Sequence, residues 1–236
     1  MKKSITLLFV GIILISLTGC SNNNSEVPDA LKFKEEYEIL NGDKNENNGK
    51  KYRTLKINED NSIVYKSAGE IIEMMEHNET FVVYFGFASC PWCRSVIPTL
   101  MEVSNDLELY PIYYVDVLNI RDTMVIEEKG NIVTERQGTD EYYQLLEKMD
   151  SVLESYVLIN EDGEEIDTGE KRIYAPNIVS VVDGKTLKLT DGISDNQDDA
   201  YMELTDEILE ESYDKIKCSI QCVVDKKKTC SSKTKC

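Results

Sequence analysis

Cys90 and Cys93, with Pro91 and Trp92 between them, are the residues of this chain best placed to do chemistry. A thiolate attacks a disulfide through a mixed-disulfide intermediate, and a second thiol two residues further on can reach back and resolve it. The surrounding sequence favours that use. Phe81-Val82-Val83-Tyr84-Phe85 is a continuous apolar run, the mark of a strand buried on both faces. A short Ala88-Ser89 turn follows, and the spacing predicts a helix from Pro91 to about Asn105. Pro91 suits the first helical position, where its missing donor costs nothing. The first turn offers unpaired N–H groups and the positive end of the helix dipole. A thiolate on Cys90 is stabilised there and its pKa falls. Trp92, the only tryptophan, forms an apolar lip for a substrate chain. Two other uses of such a pair stay open: half of a zinc site, or a structural disulfide. A closed zinc site needs two more ligands. The only histidine, His77, reads as a helix end or a solvent-exposed side chain.

Alternating helices and strands must carry this pair. Residues 28–40 read as a charged amphipathic helix with Leu31, Tyr37 and Leu40 as apolar contacts. Residues 41–51 form a Gly/Asn/Lys loop, and the alternation of 52–57 predicts a first strand. Ser67 with Glu70 is a capping-box pattern for a helix ending near His77-Asn78. Residues 110–117 predict a second buried strand and 139–155 a long helix. A short strand at 156–159 turns at Asp162-Gly163. Residues 178–182 and 186–189 flank Asp183-Gly184, a strong hairpin signal. A last helix spans 204–216. The sum is an α/β sandwich with no internal repeat.

The strand–Cys-x-x-Cys–helix unit resembles the thioredoxin superfamily. Pro98 lies five residues after Cys93, where thioredoxins carry a helix-kinking proline. Pro176 precedes an apolar strand as the family's cis-proline does, and Gly184 and Gly192 keep the family's spacing from it. The resemblance covers about Tyr52 to Lys217, with extra chain between Leu118 and Tyr174. The Cys-Pro-Trp-Cys sequence is closer to the glutaredoxin pattern than to the thioredoxin one. The resemblance implies a thioredoxin-like three-layer sandwich with a mixed central sheet, an insertion before the cis-proline strand and a Cys-rich C-terminal tail. It also implies a cis Ala175-Pro176 bond. The backbone of Ala175 would then pair with an extended substrate by strand addition and align its cysteine with Cys90. One position departs from the family. Thioredoxins bury an acid six residues before the first cysteine to help deprotonate the second, and Tyr84 stands there. The base for Cys93 is therefore missing or supplied from elsewhere.

The N-terminus adds a location. Lys2 and Lys3 precede the nearly pure apolar stretch 5–17. As a helix it rises about 20 Å, short of the ~30 Å hydrocarbon core. It therefore reads as a signal segment rather than a span. Leu17-Thr18-Gly19-Cys20 resembles the lipobox of bacterial lipoproteins. That resemblance implies a signal peptide over 1–19, a diacylglyceryl thioether on Cys20, and two acyl chains of palmitate type holding the mature protein. An ordinary cleaved signal is the alternative. Residues 20–50 form the lipidated N-terminus, a polar tether and the first helix; 51–217 form the thioredoxin-like domain; 218–236 form the Cys-rich tail. Together with the redox motif, the closest family resemblance is to thioredoxin-like lipoproteins and bacteriocin-accessory thiol-disulfide proteins of Gram-positive bacteria. This implies an extracytoplasmic, lipid-anchored protein of the cell envelope.

The tail holds Cys218, Cys222, Cys230 and Cys236. An even count in an exported chain favours two structural disulfides of open connectivity. A second dithiol relaying electrons to Cys90–Cys93 and a zinc knot are the alternatives. The net charge of −18 argues against nucleic acid, and Lys226-Lys227-Lys228 is too short a run to reverse that. The acidic loop 195–199 lacks the order of a calcium-binding loop. The functional expectation is a thiol:disulfide oxidoreductase acting on exported proteins or peptides and recycled by a membrane or thioredoxin-type redox partner. It needs no organic cofactor and no metal beyond its redox-active Cys90–Cys93 pair. One alternative is a non-catalytic thioredoxin-fold binding lipoprotein, such as an accessory factor for an exported peptide. Another is a copper or redox-metal carrier, against which the single histidine counts.

Overall fold

The computed structural model of the 236-residue chain describes residues 27–127 and 130–233, with the side chains of 230–233 left aside. The signal segment, Cys20 and Cys236 lie outside the described residues, as does the Cys230 side chain.

A five-stranded mixed sheet forms the middle layer. It comprises β1 (Ile63–Tyr65), β2 (Phe81–Gly86), β3 (Ile112–Asp116), β8 (Asn177–Val182) and β9 (Lys185–Thr190), in the order β1-β3-β2-β8-β9. β3 runs parallel to β1 and β2, whereas β8 is antiparallel to both β2 and β9. Five helices flank it: α1 (Asp29–Glu38), α2 (Ala68–Glu76), α3 (Pro91–Asp106), α4 (Asp140–Met149) and α5 (Asp206–Lys233). The period of two along β2 assigns its side chains. Val82 and Tyr84 join the core under α1, α3 and α5, while Phe81, Val83 and Phe85 join the core under α2 and α4. Strand β2 is buried at every position, which is why its sequence is an unbroken apolar run. This three-layer arrangement is thioredoxin-like.

The segment between β3 and β8 holds two hairpins and α4. β4 (Thr123–Ile126) pairs with β5 (Ile132–Arg136), and β6 (Glu154–Ile159) pairs with β7 (Glu165–Arg172). An ion pair of Asp122 with Arg172, 3.0 Å long and nearly inaccessible to solvent, closes this insertion at its base. Arg172 also stacks over the Tyr156 ring at 3.8 Å.

Several expected elements differ. Residues 52–57 are extended, and Leu55 and Ile57 are buried, but they pair with no strand. Side chains take the place of a neighbouring strand: Asn41 bonds both the N–H and the carbonyl of Leu55, and Glu38 accepts from the N–H of Ile57. The helix expected over 139–155 spans 140–149, capped by the Thr139 hydroxyl, because the following residues pair as β6. On α1 the deepest contact besides Tyr37 is Phe33 rather than Leu31 or Leu40. Finally, α5 does not stop near residue 216. Ile216, Ile220, Val223 and Val224 form one buried face, so the helix runs through the expected tail boundary and the segment 218–224 packs on the sheet.

Candidate active site around Cys90 and Cys93

Strand β2 ends at Gly86, the chain turns through Phe87–Ser89, and Cys90 becomes the N-cap of α3 with Pro91 at the first helical position. The Cys90 sulfur accepts from the backbone N–H of Cys93 at 3.4 Å, as a capping side chain does. Cys90 retains 6 % of its surface and Cys93 none. The two sulfurs are free thiols. Their surroundings drive them apart. Hydrogen bonding from the Cys93 thiol, together with the N–H groups of Cys93 and Trp92 and the charge of Arg121, pulls the Cys90 pKa below the ordinary thiol value in spite of burial. Burial, then the neighbouring Cys90 thiolate, pushes Cys93 well up. An outer thiolate and an inner thiol is the protonation pattern a nucleophile and its resolving partner require.

The peptide between Ala175 and Pro176 is cis, and the Ala175 carbonyl accepts from the Cys90 thiol at 3.2 Å. The two segments that the family resemblance pairs, 85 residues apart in sequence, thus meet at the reacting sulfur. Trp92 and Ala175 are half-buried and Pro176 is buried. All three line a groove of about 1120 Å³ that continues along Tyr174, Asn177 and Leu189 to Ser155 and Val157 of β6 on one side and to Lys215, Cys218 and Ser219 of α5 on the other. Tyr174 fixes the β6 wall: its hydroxyl donates to the Ser155 carbonyl at 3.0 Å and accepts from the Val157 N–H at 3.0 Å.

Pro98 lies inside α3. Gly184 has φ +75°, and a Cβ there would meet the Met75 carbonyl at 2.2 Å, so the β8–β9 turn fits against α2 only without a side chain. Gly192, φ +72°, is less tightly enclosed: a Cβ there would meet the Ile216 and Val96 side chains at 2.9–3.1 Å.

Cys218 and Cys222 are free thiols on α5 and are not bonded to each other. Positions i and i+4 of a continuous helix hold their Cβ atoms about 5–6 Å apart, whereas a disulfide needs about 3.5–4.5 Å. A bridge between these two is therefore excluded while the helix persists. Cys218 is exposed beside Lys188, whose ammonium donates to its carbonyl at 2.9 Å. His77 caps the C-terminus of α2 and is exposed. Among the described residues no three His, Cys, Asp or Glu side chains converge as a metal site, and no helix is long and apolar enough to cross a membrane.

The structure adds residues that spacing did not single out. Arg94 follows Cys93 and is fully buried, with no carboxylate partner among the described residues. Its guanidinium donates to the carbonyls of Tyr37, Arg53 and Ala88 and to the Asn41 side chain, at 2.7–3.3 Å. It thereby ties the start of α3 to α1 and to the extended segment 52–57. Arg121, which lowers the Cys90 pKa, lies over the Phe87 ring at 4.9 Å. An arginine at position 94, flanked by Cys93 and by Val96 and Ile97 on the buried face of an amphipathic helix, was the one available signal.

No family model matches the sequence, and no curated protein matches it. Among solved structures, the chain is similar to thioredoxin O2 from Arabidopsis thaliana in its oxidized state. Identity is 17 % and the TM-score 0.30, covering 55 % of this chain and 82 % of that one.

Proposed function

We propose that this chain is an extracytoplasmic thiol-disulfide oxidoreductase, anchored to the membrane through lipid on Cys20. It exchanges disulfides with exported proteins or peptides at the Cys-Pro-Trp-Cys site. One observation carries the reading: the Cys90 sulfur caps α3, has a depressed pKa, and lies 3.2 Å from the carbonyl of Ala175, a residue that lines the groove. Cys90 attacks a substrate disulfide, and one substrate sulfur leaves as thiolate. Cys93, once deprotonated, attacks Cys90 in the mixed disulfide; the Cys90–Cys93 bond forms and the second substrate sulfur departs. The reverse sequence oxidises a substrate dithiol. The Ala175 backbone aligns an extended substrate, and Trp92 packs against it. A membrane or thioredoxin-type partner resets the pair.

The groove also supports a second reading, a binding lipoprotein that docks an exported peptide without turnover. Insulin reduction by the purified protein separates the two. Turnover that vanishes in Cys90→Ser is expected; equal rates in both proteins overturn the enzyme.

A further inference from the structure

The groove that Trp92 and Ala175 line is also lined by Glu154 of β6, Glu165 of β7, Asp191 just past β9 and Asp214 of α5. All four are exposed, and none of them forms an ion pair among the described residues. Two cations share the lining. Lys215 is committed to the carboxylates of Asp195 and Glu211 and to the Ile193 carbonyl at 2.8 Å. Lys188 is held on the Cys218 carbonyl at 2.9 Å. Four carboxylates thus stand against one cation that has no countercharge, and the groove keeps a surplus of negative charge. Trp92, Val157, Leu189 and Ile193 give the same groove apolar surface. Two buried polar groups of its lining are left unmet as well. Asn177, 4 % exposed, accepts from the Tyr174 N–H on its Oδ1 at 2.7 Å, but its amide nitrogen donates to no group among the described residues. Ser219, equally buried, has a hydroxyl with no hydrogen-bond partner among the described residues. Buried polar groups are normally satisfied.

We propose that this groove selects cationic substrates: an extended peptide segment with Lys or Arg close to its cysteine. The inference rests on the oxidoreductase reading and names the substrate class of its site. The chemistry of such a segment matches each unmet feature. Its ammonium or guanidinium groups supply the charge that Glu154, Glu165, Asp191 and Asp214 lack. The methylene stems of those side chains pack on the apolar lining while their heads reach the carboxylates. The backbone carbonyls of the segment accept from the Asn177 amide and the Ser219 hydroxyl. The carboxylates come from both walls: two from the insertion hairpin β6–β7, and two from the end of β9 and from α5. A chain carrying several cations therefore meets more of them than a single small cation does. An acidic segment brings like charge into the groove and is repelled.

Single-turnover kinetics of the reduced full chain test the selection. Three peptides of equal length each carry one cysteine in disulfide with a chromophoric thiol, flanked by Lys, Gln or Glu. The Cys90 thiolate bonds to the peptide sulfur and the chromophoric thiolate leaves, so its release reads the rate. At low salt the Lys peptide should react about 10-fold faster than the Gln peptide, and the Glu peptide slower than either. The advantage should shrink at ~0.5 M salt. The quadruple variant Glu154→Lys, Glu165→Lys, Asp191→Lys, Asp214→Lys should reverse the order in favour of the Glu peptide, a gain that misfolding does not produce. The matched variant Glu35→Lys, Glu46→Lys, Glu59→Lys, Glu108→Lys changes the net charge equally at exposed positions outside the groove and should keep the Lys preference. Equal rates for the three peptides, or a reversal in the matched variant as well, overturns the selection and leaves the oxidoreductase intact. Release from none of the peptides overturns the oxidoreductase. The Lys peptide with Ser in place of its Cys should then still shift the emission of Trp92, the only tryptophan, and an unchanged emission overturns the selection too.

Discussion

Two cysteine pairs sit on helices of this molecule, and their settings differ. Cys90 and Cys93 occupy the first turn of α3; Cys218 and Cys222 occupy the middle of α5. At the start of α3 the backbone N–H groups have no intrahelical acceptors, so they turn to the Cys90 sulfur. In the middle of α5 every N–H already bonds the preceding turn, and the Cys222 thiol donates to the Ser219 carbonyl at 3.5 Å. The first pair is flanked by a buried arginine and a cis-proline loop, while the exposed Lys188 lies 3.5 Å from the Cys218 sulfur of the second. Cysteine chemistry here follows from position along a helix rather than from the cysteine itself.

The comparison breaks most easily in a turnover assay. Cys90→Ser should cost insulin reduction on the order of a thousandfold or more, whereas Cys218→Ser should stay within about twofold. Comparable losses would make the pairs one functional unit. Next in size is stability. Arg94→Met takes the buried donor from the carbonyls of Tyr37, Arg53 and Ala88 and should cost about 3 kcal/mol, read from the urea midpoint. Lys188→Met beside the second pair should change it by less than about 0.5 kcal/mol. A smaller effect concerns the groove. Trp92→Ala should raise KM by roughly fivefold, equivalent to ~1 kcal/mol of lost apolar contact, with little change in kcat. An altered kcat instead would place Trp92 in the chemistry rather than on the lip.

Local pattern made much of this legible. The apolar run at β2, the Ser67 capping box and the Asp183-Gly184 turn each state a structure within a few residues, and each formed. The alternation at 52–57 does bury Leu55 and Ile57, but their backbone partners are side chains of Asn41 and Glu38, which no periodicity reveals. The lysines and serines after Cys218 read as a tail and hid the Ile216, Ile220, Val223 stripe that extends α5. At the site, Tyr84 was visible as the residue in place of an acid. Its partner Tyr37 was not, because it is distant in sequence and only the docking of α1 on the sheet brings the two hydroxyls within 3.2 Å. Arg94 was hidden for the same reason: three of its four acceptors are backbone carbonyls, which leave no trace in side-chain identity.

The central claim is that the start of α3 turns Cys90 into a thiolate under mild conditions. The direct measurement is the alkylation rate of Cys90 in the reduced protein against pH, followed by mass spectrometry at that residue. Because the folded-state pKa is depressed, the thiolate is already present below the ordinary thiol pKa of about 8.5 and is lost only as pH falls through the lower value. The rate should therefore level off below pH 8.5. A rate still climbing through the range of a free cysteine, or a Cys90 that resists alkylation until the protein unfolds, would contradict the account.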